Sequence, residues 1–234
     1  MSNYNLLGVG NNAKTIKGDG SEYITAILYL APFKSIDNFN VCPMAHIANC
    51  GNACLYTAGR GAMSNVKAGR IRKTVMYRDN RKQFFDLLYK DLTKFENYCL
   101  KRGINPVVRL NGTSDLNFID TIKQFSNIQF YDYTKVYNRV SKKLPANYHI
   151  TLSYSQANKE YSKSIIDNAI KYNKNMAVVF KDKNNIPKTF MNLPVIDGDK
   201  DDLRFLDPNN KPHVVALYAK GQAKKDNTGF VINN

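Results

Sequence analysis

Several things are missing from this 234-residue chain, and each absence narrows the reading. No apolar run approaches the roughly 20 residues a membrane-spanning helix needs, so no membrane partner is expected. The opening MSNYNLLGVGNN has no basic flank followed by a long apolar stretch, so no secretory leader is expected. No repeat, low-complexity block or linker divides the sequence, and the expectation is one domain over 1–234. Histidines number only three and form no evident triad with a cysteine and an acid. GVG at 8–10 is not followed by a helix, which leaves only a weak trace of a dinucleotide fingerprint. The run VIDGDKDDLRFLD alternates Asp197, Asp199 and Asp201, yet it lacks the central glycine and closing glutamate of an EF-hand. It reads as an acidic knot paired with Arg204 and nearby lysines.

Acidic residues are also in short supply. Nineteen Asp and Glu face 34 Lys and Arg, for a net charge of +15. Charge of that size attracts polyanions, nucleic acid first among them. A lysine- and asparagine-rich chain is also what an AT-rich genome encodes, so charge alone names no partner. The densest basic stretch is KAGRIRKTVMYRDNRK, 67–82.

What is present alternates short apolar runs with amphipathic ones. Strands are expected at 24–31, 106–110, 128–131, 148–152, 176–180, 194–196 and 214–218. Phe84, Leu87, Leu88, Leu92, Phe95 and Cys99 recur at helical spacing, with Gly103 as the stop. Further helices are expected at 116–125, 134–143 and 161–172. Strand and helix in alternation make an α/β fold with a mostly parallel sheet, here read as a partial or distorted parallel (β/α) barrel. The polar clusters NGTSD, DYTK, SYSQ and KDK each follow a strand, at the end where such sheets bind ligands.

The four cysteines are unevenly placed: Cys42, Cys50 and Cys54 share one loop after the first long strand, while Cys99 lies in a helical pattern. In a chain without a leader, expected in the cytoplasm, thiols serve metal or redox chemistry more often than disulfides. Thiolates select zinc or iron–sulfur centres. A [4Fe–4S] cluster on the three, with one iron open, is the leading reading. Zinc completed by His46 or Cys99 is the alternative, and free thiols the third. Cys99 continues an apolar stripe and reads as a core residue.

The candidate pocket residues come from the strand ends. RLNGTSD supplies Arg109, Asn111, Ser114 and Asp115, suited to gripping a charged ligand or to an Asx turn in which Ser114 or Asp115 caps the next helix. FYDYTK supplies Asp132 and Lys135, suited to acid–base work or a buried ion pair, and SYSQ supplies Ser153. On an extended strand Asp132 faces away from Tyr131 and Tyr133.

The blocks CPMAHIANCGNACLYTAGRG, RLNGTSD, FYDYTK, NMAVVF, DGDKDDLRFLD and AKGQAKKDNTGFV together resemble an uncharacterised family of bacteriophage proteins, which implies an iron–sulfur protein of the infected cell's cytoplasm. More loosely, the chain is similar to radical S-adenosylmethionine enzymes, whose partial barrel carries three cysteines after its first strand. That similarity implies S-adenosylmethionine as a second cofactor and a nucleotide or nucleic acid as substrate. The spacing of seven and three residues between cysteines is wider than in those enzymes, Ala53 replaces their aromatic residue, and NGTSD stands where they carry a glycine-rich run. A non-enzymatic nucleic-acid-binding protein with a structural metal is the competing reading.

Overall fold

The computed structural model of the chain describes residues 5–9 and 22–234. Gly10 of the glycine motif and Gly20 lie outside the described residues. Ten strands form one mixed sheet: β1 (Leu7–Val9), β2 (Tyr23–Leu28), β3 (Asn105–Arg109), β4 (Gln129–Thr134), β5 (Tyr148–Ser153), β6 (Met176–Phe180), β7 (Thr189–Phe190), β8 (Leu193–Asp197), β9 (Val214–Tyr218) and β10 (Val231–Ile232). Four α-helices accompany them: α1 (Ser64–Asp79), α2 (Arg81–Leu100), α3 (Ile119–Lys123) and α4 (Lys159–Lys171). The order across the sheet is β1-β2-β3-β4-β5-β6-β9-β8-β7. All pairings from β2 through β8 are parallel, and only the edge strands β1 and β7 run antiparallel.

Side chains alternate between the faces of a strand, and from β2 to β6 and in β9 the even-numbered positions face the helices. Ala26, Val108, Phe130, Ile150, Val178 and Ala216 join one core with Phe84, Leu88 and Phe95 of α2 and Ile165 of α4. The opposite face meets residues 202–207 instead: Val107 and Tyr131 pack with Leu203, and Phe205 closes on Tyr23.

The described elements follow the periodic pattern closely at 176–180 and 214–218, and differ in four places. The first strand ends at Leu28, because the chain then leaves the ladder and Ala31 N–H donates to Thr74 Oγ1 of α1 (2.8 Å). The helix expected at 134–143 is one 3-10 turn, Tyr137–Ser141, and that at 116–125 contracts to α3. Helix α1 escapes an apolar pattern search because its buried stripe is Arg70, Thr74 and Tyr77.

Asp91 of α2 ties down the N-terminal edge. It is buried, and its carboxylate accepts the backbone N–H groups of Asn5 (3.1 Å), Leu6 (2.6 Å) and Leu7 (3.1 Å). Asp91→Ala strands these donors, each costing about 1–3 kcal/mol when buried. Urea unfolding of the variant is expected to show a loss of about 3 kcal/mol, with Asp91→Asn losing less.

Candidate functional site

The face opposite the helices ends in a cavity of about 180 Å³ at the C-terminal ends of the strands. Arg109, Tyr133, Ser153, Ala177, Val179 and Leu217 reach it from alternate positions on five parallel strands. Strands β5 and β6 pair only through Leu152↔Met176 and Ser153↔Ala177. Beyond that point β10 lies against β6 through Val231↔Val179 and Ile232↔Phe180. The tail thus occupies the exit of β6, and the KDK cluster does not reach the cavity. Ala53 packs with Ala223 and Phe230 of the same tail.

The cysteine segment forms the roof. Tight turns close it, with Ala45 N–H on Cys42 O (3.0 Å) and Ala48 N–H on Met44 O (3.0 Å). Three bonds pin it to the sheet: Asp115 N–H to Val41 O (2.8 Å), Ser155 Oγ to Ala48 O (2.8 Å) and Thr113 Oγ1 to Leu30 O (2.5 Å). Gly112 lets the turn after β3 sit close to the end of β2, since a Cβ there would lie 2.7 Å from Ile27 and Tyr29 side-chain atoms and 2.8 Å from Leu28 O.

Cys42, Cys50 and Cys54 all line the cavity. Burial pushes the Cys42 thiol up to about 12, and negative charge on Cys54 and Cys50 pushes the same way. Burial also raises Cys54, opposed by the Tyr56 backbone N–H, Lys135 and Arg70. The three sulfurs therefore sit within one another's fields. Among the described residues no three His, Cys, Asp or Glu side chains gather closely enough to hold a single metal ion. His46 is exposed and lies edge-on to Phe33, and Cys99 is buried in the core against α2's partners, so neither reaches the cavity as a fourth donor.

The polar wall contains most of the residues expected from the strand ends: Arg109, Asn111, Ser114, Asp115, Lys135 and Ser153. Asp132 is the exception. It faces the helices, where its carboxylate accepts Asn111 N–H (2.8 Å), Asn111 Nδ2 (3.1 Å) and Tyr148 Oη–H (3.1 Å). It pairs with no lysine and serves to hold the NGTSD turn. Neither Ser114 nor Asp115 caps α3, whose N-cap position is Phe118. Ser114 Oγ donates to Asn111 Oδ1 (2.9 Å), and Asp115 accepts Arg139 Nη1 (2.7 Å), Thr134 Oγ1 (2.8 Å) and Lys135 N–H (2.7 Å). Lys135 Nζ donates to Ser153 Oγ (2.6 Å) beside the Phe230 ring.

Beneath the wall, the acidic run is the internal knot its composition suggested. Arg204 is 1% exposed and pairs with Asp201 (3.0 Å) and Asp207 (3.3 Å). Asp202 meets Arg109 (3.5 Å) and accepts Tyr131 Oη–H (3.0 Å), while Asp199 pairs with Lys220. Burial, the largest influence, opposes the Arg109 charge, but the Asp202 carboxylate together with Tyr131, Tyr133 and Tyr29 outweighs it and the net shift is upward. Two buried polar atoms at the cavity have no hydrogen-bond partner, Tyr133 Oη and Arg109 Nε. The sequence places Tyr133 at the FYDYTK strand exit on the face of Tyr131, yet Tyr133 was not among the candidate pocket residues, and Lys220 was passed over altogether. Sequence reading also passed over Arg70, whose guanidinium lies 4.7 Å from the Tyr29 ring beside Cys54.

Residues 5–234 match the family model described as Gene product 88. The chain belongs to the Gene product 88 family. This is a phage protein family, in agreement with the resemblance carried by the motifs, and the match runs through the cysteine roof, the polar wall and the acidic knot alike. No curated protein and no solved structure matches the chain.

Burial raises the Asp132 carboxyl to about 6, against the pull of Arg109 and Asn111. A folded-state value above the unfolded one means the native state binds the extra proton. The contribution is full below about pH 4 and is lost as pH rises through about 6. Asp132→Asn is therefore expected to flatten the fall in stability across that window by roughly 2–3 kcal/mol, read from urea midpoints at several pH values. Gly112→Ala is expected to cost about 2 kcal/mol through overpacking, read in the same assay.

Proposed function

We propose that this protein is a phage-encoded iron–sulfur protein of radical S-adenosylmethionine-like type, with a [4Fe–4S] cluster on Cys42, Cys50 and Cys54, acting on a nucleotide or nucleic acid. The observation that carries the reading is the convergence of three thiols from one loop on a single cavity at the strand ends, which Arg109, Lys135 and Ser153 also line. Three thiols lining one cavity can serve a polynuclear centre, whose irons each take their own thiolate. Parallel strands β2 to β6 in consecutive order, with the helices on one face, support reading the sheet as a partial barrel.

When bound, such a cluster supplies one-electron chemistry at an iron that carries no protein ligand. The chain's own residues do the rest. Burial keeps Cys42 and Cys54 protonated until a cation competes for the sulfur. Lys135 and Arg70 place positive charge beside Cys54 and favour its thiolate. In the same cavity, Tyr133 Oη and Arg109 Nε are unspent donors for an anionic or polar ligand group, and Lys135 holds Ser153 in place. The cysteine roof and the apolar tail around Phe230 restrict water.

Anaerobic purification tests this directly. Brown protein with broad visible absorbance, iron and acid-labile sulfide is expected. Colourless protein with stoichiometric zinc would instead establish the competing reading, a nucleic-acid-binding protein whose metal only braces the loop. Cys42→Ser, Cys50→Ser and Cys54→Ser are each expected to abolish most of the bound iron, whereas Cys99→Ala is expected to retain it; iron lost with Cys99→Ala would overturn the ligand set.

A further inference from the structure

The basic stretch at 67–82 differs in kind from the rest of the chain's charge. Five of the chain's nine arginines, Arg60, Arg70, Arg72, Arg78 and Arg81, fall within 60–81, and no acidic residue occurs between Asp37 and Asp79. An AT-rich genome accounts for scattered lysine and asparagine, but it does not gather arginines on one helix or clear carboxylates from 41 consecutive residues. Three of the other arginines, Arg109, Arg139 and Arg204, are buried in ion pairs. Of the five exposed arginines, four lie within 60–81, Arg60, Arg72, Arg78 and Arg81, with Arg78 paired to Asp79, and Arg102 is the other.

This surface is continuous with the mouth of the cavity. Leu55 lines the cavity and is itself 42% exposed. The next residue, Tyr56, lies under Lys67 of α1, its ring 5.3 Å from Nζ. Arg70 passes inward from the same helix toward Cys54 and the turn at Gly61. Between the cations stand exposed apolar side chains, Met63 and Ile71.

We propose that the surface running from the cavity mouth over residues 55–63 onto the exposed face of α1 binds single-stranded nucleic acid and leads one nucleotide to the cavity. Arg60, Lys67 and Arg72 take the phosphates, since guanidinium matches phosphate geometry and residues 38–78 carry no carboxylate. Tyr56, Leu55 and Met63 present flat or apolar surface to bases, which stack on such platforms with little regard to sequence. An unpaired strand is favoured over a duplex because the cavity lies under a roof, and only a nucleotide free of its stack reaches it. The proposal rests on the nucleic-acid substrate reading above, but its test does not depend on the cofactor.

The test is fluorescence anisotropy of a labelled mixed-sequence single-stranded oligonucleotide, as DNA and as RNA, and of a duplex of equal length. Anaerobically prepared whole protein is titrated in at several salt concentrations. Single strands are expected to bind more tightly than the duplex and to weaken steeply with salt. Arg60→Glu with Arg72→Glu is expected to reduce single-strand affinity about tenfold or more and to flatten the salt slope. Lys142→Glu with Lys143→Glu reverses two exposed charges on the connection into β5 and is expected to change affinity less than about twofold. Should the glutamate pair at 60 and 72 fail to fold, Arg60→Gln with Arg72→Gln carries the same comparison with a smaller loss. Equal losses from the two pairs, duplex preference, or no binding by the unaltered protein would each overturn the proposal. Iron content of the same samples separates the readings: brown protein that ignores the oligonucleotide overturns this surface and leaves the cluster standing, and colourless protein that binds through Arg60 and Arg72 does the reverse.

Discussion

A strand can send each side chain to one face of its sheet or the other, and in this protein that two-residue alternation sorts the chemistry. From β2 to β6 and in β9, the even-numbered residues are apolar apart from Asp132 and Thr134, and the apolar ones pack under the helices. The odd-numbered ones include Arg109, Tyr131, Tyr133, His149, Thr151 and Ser153, a set no helix could cover without leaving charges unpaired. Residues 199–207 solve that problem. They bring Asp202 to Arg109 and Tyr131, and they carry Arg204 with its own partners, Asp201 and Asp207. Removing either side of such a pairing leaves a buried charge uncompensated, at a cost of several kcal/mol. The acidic run and the polar sheet face hold each other in place, and the cavity above depends on both.

Charge is partitioned in the same way. Many of the chain's few carboxylates are committed inward or to holding loops: Asp91 to the N-terminal edge, Asp115 to Arg139 and Lys135, Asp132 to the NGTSD turn, Asp201 and Asp207 to Arg204. The roof contains none, and α1 only Asp79 at its last position, paired with Arg78. Burial raises the Cys42 and Cys54 thiols, against a Phe33 backbone hydrogen bond at Cys42 and against the Tyr56 backbone, Lys135 and Arg70 at Cys54.

The turn after β3 shows how one residue type can be read correctly for chemistry and wrongly for role. Asn111, Ser114 and Asp115 were legible as polar groups at a strand exit, and they do line the cavity. Their hydrogen bonds run sideways to Asp132, Thr134 and Arg139 and do not cap α3. Asp132 was legible as facing away from its neighbouring tyrosines, yet which face opened on the cavity was not, since alternation alone does not say where the helices lie. Helix α1 stayed hidden for a related reason: its inward positions are Arg70 and Thr74, and an apolar-pattern search passes over cations that become buried beside a thiol cluster and an aromatic ring.

The sequence by itself determined the α/β alternation, the parallel strands, the crowding of Cys42, Cys50 and Cys54 in one loop and the excess of positive charge, because these follow from local periodicity and composition. Only the tertiary structure decided which strand face carries the cavity, that the tail strand β10 occupies the exit of β6, that the acidic knot fills the sheet, and that His46 and Cys99 stay away from the other cysteines. Each of those outcomes is a contact between segments tens to hundreds of residues apart. Such contacts are selected by the joint packing of whole elements, and no local window of sequence contains the partner that settles them.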